Sequence, residues 1–137
     1  MNVKIVLSLL CFVFAVMLYA LDLPAEKWRL ESCSEVKEHS GLLDLKTCFV
    51  SRKTASYLHS PVLNSEPEKY EFCFEMASDT SGRGKLFYRY GAGKYTDENG
   101  VFFPVKGNNT FQSYRLTVPA GKEPLAQLRL GPLYKDA

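Results

Sequence analysis

Residues 70–76 read Tyr-Glu-Phe-Cys-Phe-Glu-Met. Tyr70, Phe72, Phe74 and Met76 fall on one side, and Glu71, Cys73 and Glu75 fall on the other. A strict period of two is the signature of a half-buried strand. The same period returns downstream. In Gly84–Tyr90, Leu86, Tyr88 and Tyr90 oppose Lys85, Phe87 and Arg89; in Phe111–Val118, Tyr114, Leu116 and Val118 oppose Ser113, Arg115 and Thr117. In the final run, Leu128 and Leu130 alternate with Gln127 and Arg129 before a Gly131-Pro132 turn signal. The short run 101–105 is interrupted by Pro104, which predicts an edge strand or a strand end.

Turn residues separate these runs. Ser78–Gly84, the Gly-bounded loop Gly91–Gly100, Gly107–Thr110 and Pro119–Pro124 all read as connections. Upstream, 26–32, 42–51 and 56–60 also read as strands. Residues 32–41 are polar and closed by Gly41, and read as a loop or a single turn. No stretch has an apolar helical period of useful length. Strands at this spacing with Gly, Pro and Asn turns predict an all-β fold, an antiparallel β-sandwich.

The first twenty residues read differently. Lys4 precedes an uncharged run of 17 residues, Ile5–Leu21, and Ala20 is a small residue at a cleavage point. This is the pattern of a secretory signal peptide over residues 1–20, leaving a single domain over 21–137. An uncleaved membrane anchor is the alternative, since a span needs about 17–25 residues. Either way the expected location is secreted or cell-surface, with membrane contact only through residues 1–21 if they are retained.

The chain carries 17 basic and 15 acidic residues. Near-neutrality offers no basic stripe for nucleic acid. Removal of residues 1–20 takes Cys11 and leaves Cys33, Cys48 and Cys73 in an oxidising compartment. Cys33 with Cys48 is the favoured disulfide, because a short loop closes easily; Cys73 reads as a small buried apolar residue. The cysteine and histidine spacings match no zinc motif, and no metal or other cofactor is implied. Asp97 and Glu98, in Tyr95–Gly100, could serve a calcium ion, but a plain turn is the preferred reading. Asn108 begins an Asn-Asn-Thr acceptor sequence for glycosylation.

No enzyme pattern appears. There is no phosphate loop, no Gly-x-Ser-x-Gly elbow and no pair of carboxylates singled out by position. The outward set, Glu71, Glu75, Arg89, Arg115, Gln127 and Arg129, has two readings. If the strands are neighbours, it is either a solvated face of cross-strand charge pairs or a polar face whose guanidinium forks bind hydroxyls or carboxylates. Tyr90 and Tyr95 join this set as aromatic candidates, and Tyr95 is foremost because it sits in the Gly-rich loop.

The run from Ser60 to Leu133 resembles a known family. Its marks are the Ser60-Pro61-x-Leu63 entry, the Tyr70–Met76 strand, Leu86–Tyr90, Phe103–Gly107, Phe111–Pro119 and Leu128–Leu133. Together they resemble the galactose-binding-like, carbohydrate-binding-module-like sandwich of secreted bacterial proteins, often appended to glycoside hydrolases. The resemblance implies a jelly-roll-like sandwich, a polysaccharide or glycan as partner, and no catalysis by this domain. Gly131 stands where the family usually has an acid. The family usually adds one further strand, so this sandwich is expected either to lack its last strand or to be a smaller complete one. A purely structural spacer with no ligand is the alternative role.

Overall fold

The computed structural model describes residues 2–13, 18–21, 27–31, 36–39, 42–46, 49–50, 53–54, 57–63 and 65–134. Thirteen strands follow in chain order: β1 (Asn2–Val13), β2 (Leu18–Leu21), β3 (Arg29–Glu31), β4 (Val36–His39), β5 (Leu42–Lys46), β6 (Phe49–Val50), β7 (Lys53–Thr54), β8 (Tyr57–His59), β9 (Tyr70–Ser78), β10 (Gly82–Tyr90), β11 (Gly100–Val105), β12 (Gln112–Val118) and β13 (Leu125–Tyr134). All pairings are antiparallel. One large sheet has the order β12-β9-β1-β5-β4, with β2 beside β1; a second has the order β11-β10-β13-β8-β3; β6 and β7 form a separate two-stranded pair. The connections β8–β9, β9–β10, β11–β12 and β12–β13 each pass from one sheet to the other. The chain is therefore an all-β sandwich, as the alternation predicts.

The alternation also selects the buried faces. Tyr70, Phe72, Phe74, Met76, Leu116 and Val118 point inward from the first sheet; Leu86, Tyr88, Leu128, Leu130 and Leu133 meet them from the second. Each fully buried side chain of this size contributes about 1.5–3 kcal/mol. Aromatic rings form the spine of the core. Phe74 stacks on Phe72 at 5.2 Å and on Tyr114 at 5.0 Å, and meets Phe103 edge-on at 5.4 Å. Gly84 permits this arrangement, because a Cβ there would stand 2.0 Å from the Phe103 ring. Pro104 lies on β11, an edge strand bonded only to β10, where a missing N–H costs no ladder bond.

Three segments depart from the sequence reading. Residues 36–39 are strand β4, not a loop. β4 pairs antiparallel with β5, Val36 against Leu45 through His39 against Leu42. Gly82–Gly84 and Gly131–Pro132 lie inside β10 and β13 instead of forming turns. Between Arg83–Tyr134 and Lys85–Gly131 the register shifts, and this bulge accommodates Pro132.

Residues 2–13, read above as leader, form strand β1 between β9 and β5, with Ile5 fully buried. Cys33 and Cys48 lie outside the described residues. Cys73 is free and half-buried, on the outer side of β9. Among the described residues no helix is long and apolar enough to cross a membrane.

Candidate functional site

The sandwich divides the predicted site residues among three places. Arg115 pairs across β12 and β9 with Cys73, and its Nη1 stands 3.3 Å from Glu71 Oε2. Arg89, Gln127 and Arg129 lie on the other sheet, where β10 and β13 are neighbours. The expected single face of three arginines and two glutamates is thus split, because β12 joins β9 and not β10. Tyr90 falls in a third place. It packs against the core and Tyr88 with rings 5.9 Å apart, and its hydroxyl donates to the Pro119 carbonyl. Burial pushes the Tyr90 phenol up to about 12, and Tyr90 does not reach Arg89's face of the sheet.

On the outer face of the second sheet the register sets one row across four strands. Arg29 of β3 faces His59 of β8, His59 faces Arg129 of β13, and Arg129 faces Phe87 of β10. The loop between β10 and β11 folds over this row. Gly91 opens the loop at φ 52°, a left-handed conformation that glycine adopts without penalty. Tyr95 then lies edge-on to His59 at 6.1 Å and to Phe87 at 6.5 Å. The Arg129 guanidinium carbon is 4.4 Å from the Tyr57 ring centre, 4.3 Å from Phe87 and 4.5 Å from Tyr95. Three rings therefore cage one cation, each contact worth about 0.5–2 kcal/mol depending on desolvation. Arg89 is tied down separately: Nε and Nη2 donate to Gln127 Oε1 at 3.1 and 2.9 Å, and Nη1 donates to the Gly91 carbonyl.

Tyr95 is not the free aromatic platform that its loop position suggests. Its phenol is pushed up by burial, against the opposing pull of the Arg89 and Arg129 charges. Lys85 anchors the far end of the loop. Its Nζ donates to the Asp97 carbonyl at 3.0 Å and stands 3.5 Å from the Asp97 carboxylate. The Asp97 side chain thus faces a lysine, and the described residues contain no group of three His, Cys, Asp or Glu fit to hold a metal ion.

His59 is buried, and its Nε2–H donates to Glu31 at 2.6 Å. Its pKa is lowered from 6.5, first by burial and then by the charges of Arg29 and Arg129, while Glu31 pulls the other way. Unfolded chain therefore takes up this proton at a higher pH than folded chain. The contribution to stability is full above about pH 6.5 and is lost progressively as pH falls toward the folded pKa. Thermal melts between pH 7.5 and 5.5 should show the melting temperature falling in that window, and His59→Gln should flatten the fall. An unchanged slope in the variant would place the dependence elsewhere.

A second feature lies at the sandwich edge. A groove of about 420 Å³ runs between β11 and β12, the terminal strands of the two sheets. Phe103 and Tyr114 give it apolar walls; Lys106, Gln112, Ser113 and Arg115 give it polar groups. Tyr114 is fixed there by donating its hydroxyl to the Pro104 carbonyl at 2.8 Å. Arg115 is 71% exposed and reaches the rim.

Of the predicted set, Arg89, Tyr95 and Arg129 come together, while Arg115 lines the groove. Sequence reasoning missed Arg29, His59 and Phe87 at the first place, and Lys106, Gln112 and Tyr114 at the second. Partner strands decide these groupings, and a period of two does not name partners. No family model matches the chain, and no match was found among curated proteins or solved structures.

Proposed function

We propose that the chain is a non-catalytic extracellular accessory module that holds a glycan weakly, or docks beside a glycan-active domain, through the groove between β11 and β12. The observation that carries this reading is the composition of the groove. Its volume of about 420 Å³ falls within the range of small-ligand sites. Rings on one side suit the apolar face of a sugar, and amide, hydroxyl and guanidinium groups beside them suit its hydroxyls. Both flanking strands also have a free edge, so backbone donors and acceptors add to the side-chain set. The openness of the groove fits weak binding, since a shallow site buries little of its ligand. The uncharged N-terminal run supports the extracellular placement.

A glycan array probed with the full chain tests this directly. For the glycan retained, Arg115→Ala should weaken binding about tenfold, or about 1.4 kcal/mol. The fold should be nearly unaffected, because the exposed pair with Glu71 contributes at most about 1 kcal/mol. Unchanged retention in the variant would remove the groove from the reading. An array with no retained glycan favours the structural spacer, which draws on a different observation: Tyr70 and Tyr88 are buried and Tyr90 and Tyr114 pack against the core, and Lys85, His59 and Arg115 already face protein carboxylates.

A further inference from the structure

We propose that the outer face of the second sheet carries a second site, for an oxyanion bearing two negative charges such as a sulfate or phosphate group, held between Arg29 and Arg129 above His59. This site is separate from the groove and does not depend on it. Arg29 and Arg129 both face His59 from the strands on either side of it. Neighbouring strands stand about 4.8 Å apart, so the two backbones are about 10 Å apart. Long arginine side chains at that separation can converge on one ligand over the row.

Three observations point to an anion. Arg129 meets no carboxylate among the described residues, although it lies in a half-buried cage of rings. Its Nε is buried without an acceptor. Leaving a donor of a charged group unpaired in such a place carries a desolvation penalty that an ordinary surface arginine does not bear. Local charge agrees. Arg29, Arg89 and Arg129 contribute three positive charges near Tyr95, and Glu31 beside His59 subtracts one. Lys85 and Asp97 balance each other at the edge. A dianion would neutralise the remainder. The cage orients the Arg129 guanidinium, and a planar fork already oriented loses little entropy on binding.

The test uses the full chain with ¹⁵N-labelled arginine. Sodium sulfate and sodium phosphate are each titrated against sodium chloride and sodium acetate at matched ionic strength. The Nε–Hε signal of Arg129 is followed by NMR. The expected result is a saturable shift with sulfate or phosphate in the millimolar range, and little with chloride or acetate. The tighter of the two identifies which group the site prefers. Arg29→Gln changes an exposed side chain and should leave the chain folded while weakening the response about tenfold. No saturable movement of Arg129, an equal response to acetate, or an undiminished response in Arg29→Gln would overturn the proposal and leave the cage as packing.

Discussion

Phe74→Ala is expected to lower the melting temperature of the chain by roughly 10–20 °C. Phe74 is 2% exposed and touches three other rings, Phe72, Phe103 and Tyr114. Two of these belong to the first sheet and one to the second, so its removal loosens the contact between layers. Truncating a phenylalanine in such a place costs about 3–5 kcal/mol, a large share of the roughly 5–15 kcal/mol that holds a domain together. The neighbouring Cys73 points to the outer side of the same strand, and Cys73→Ser should change stability by no more than about 0.5 kcal/mol. Melts of the two variants followed by circular dichroism measure the contrast. Equal effects would mean that the face assignment of β9 is wrong.

Ile5→Asp should be as damaging in the full chain. Ile5 is fully buried and sits between Leu43 of β5 and Met76 of β9. A carboxylate there must either stay charged in an apolar layer or take up a proton, and both cost stability, on the order of several kcal/mol. A loss of cooperative unfolding is the expected result. The same segment has the composition of a secretory leader, and the two uses exclude each other within one molecule. The mass of the exported chain separates them: a product beginning at Met1 keeps β1, and one beginning at Leu21 does not. In the second case Ile5→Asp would leave the melt of the exported product untouched.

The legible part of the fold was the part governed by local alternation. β9, β12 and β13 carry their burial pattern in their own residues, and Pro104 marks β11 as an edge without reference to any other segment, whereas β10 is buried on both faces, Lys85 and Phe87 as well as Leu86 and Tyr88. Glycine and proline misled where tertiary contacts overrode their local preference. Gly84 is in a strand to admit the Phe103 ring, and Pro132 sits at a register shift. The site was less legible for a physical reason. Arg29, His59, Arg129 and Phe87 come from four strands spread over 100 residues, and their row exists only once the strand order is known. Arg115 was grouped with Arg89 because both point outward, yet they point outward from opposite layers. Tyr95 stands out in the sequence by its place in a Gly-rich loop, and the loop's fold over the Arg129 cage is what changes its role.

The strand order also bears on how such a chain is made. β1 lies inside the first sheet and β13 inside the second. β1 meets β2 and β5 locally, but its pairing with β9, Val3 against Ser78, joins residues far apart in the chain, and the second sheet cannot be joined across its middle until Leu125–Tyr134 has been synthesised. Folding is therefore a late, slow event dominated by distant pairings, on the scale of milliseconds to seconds. Until then the apolar faces of β9 and β10 have no opposing layer, the kind of exposed surface that chaperones recognise.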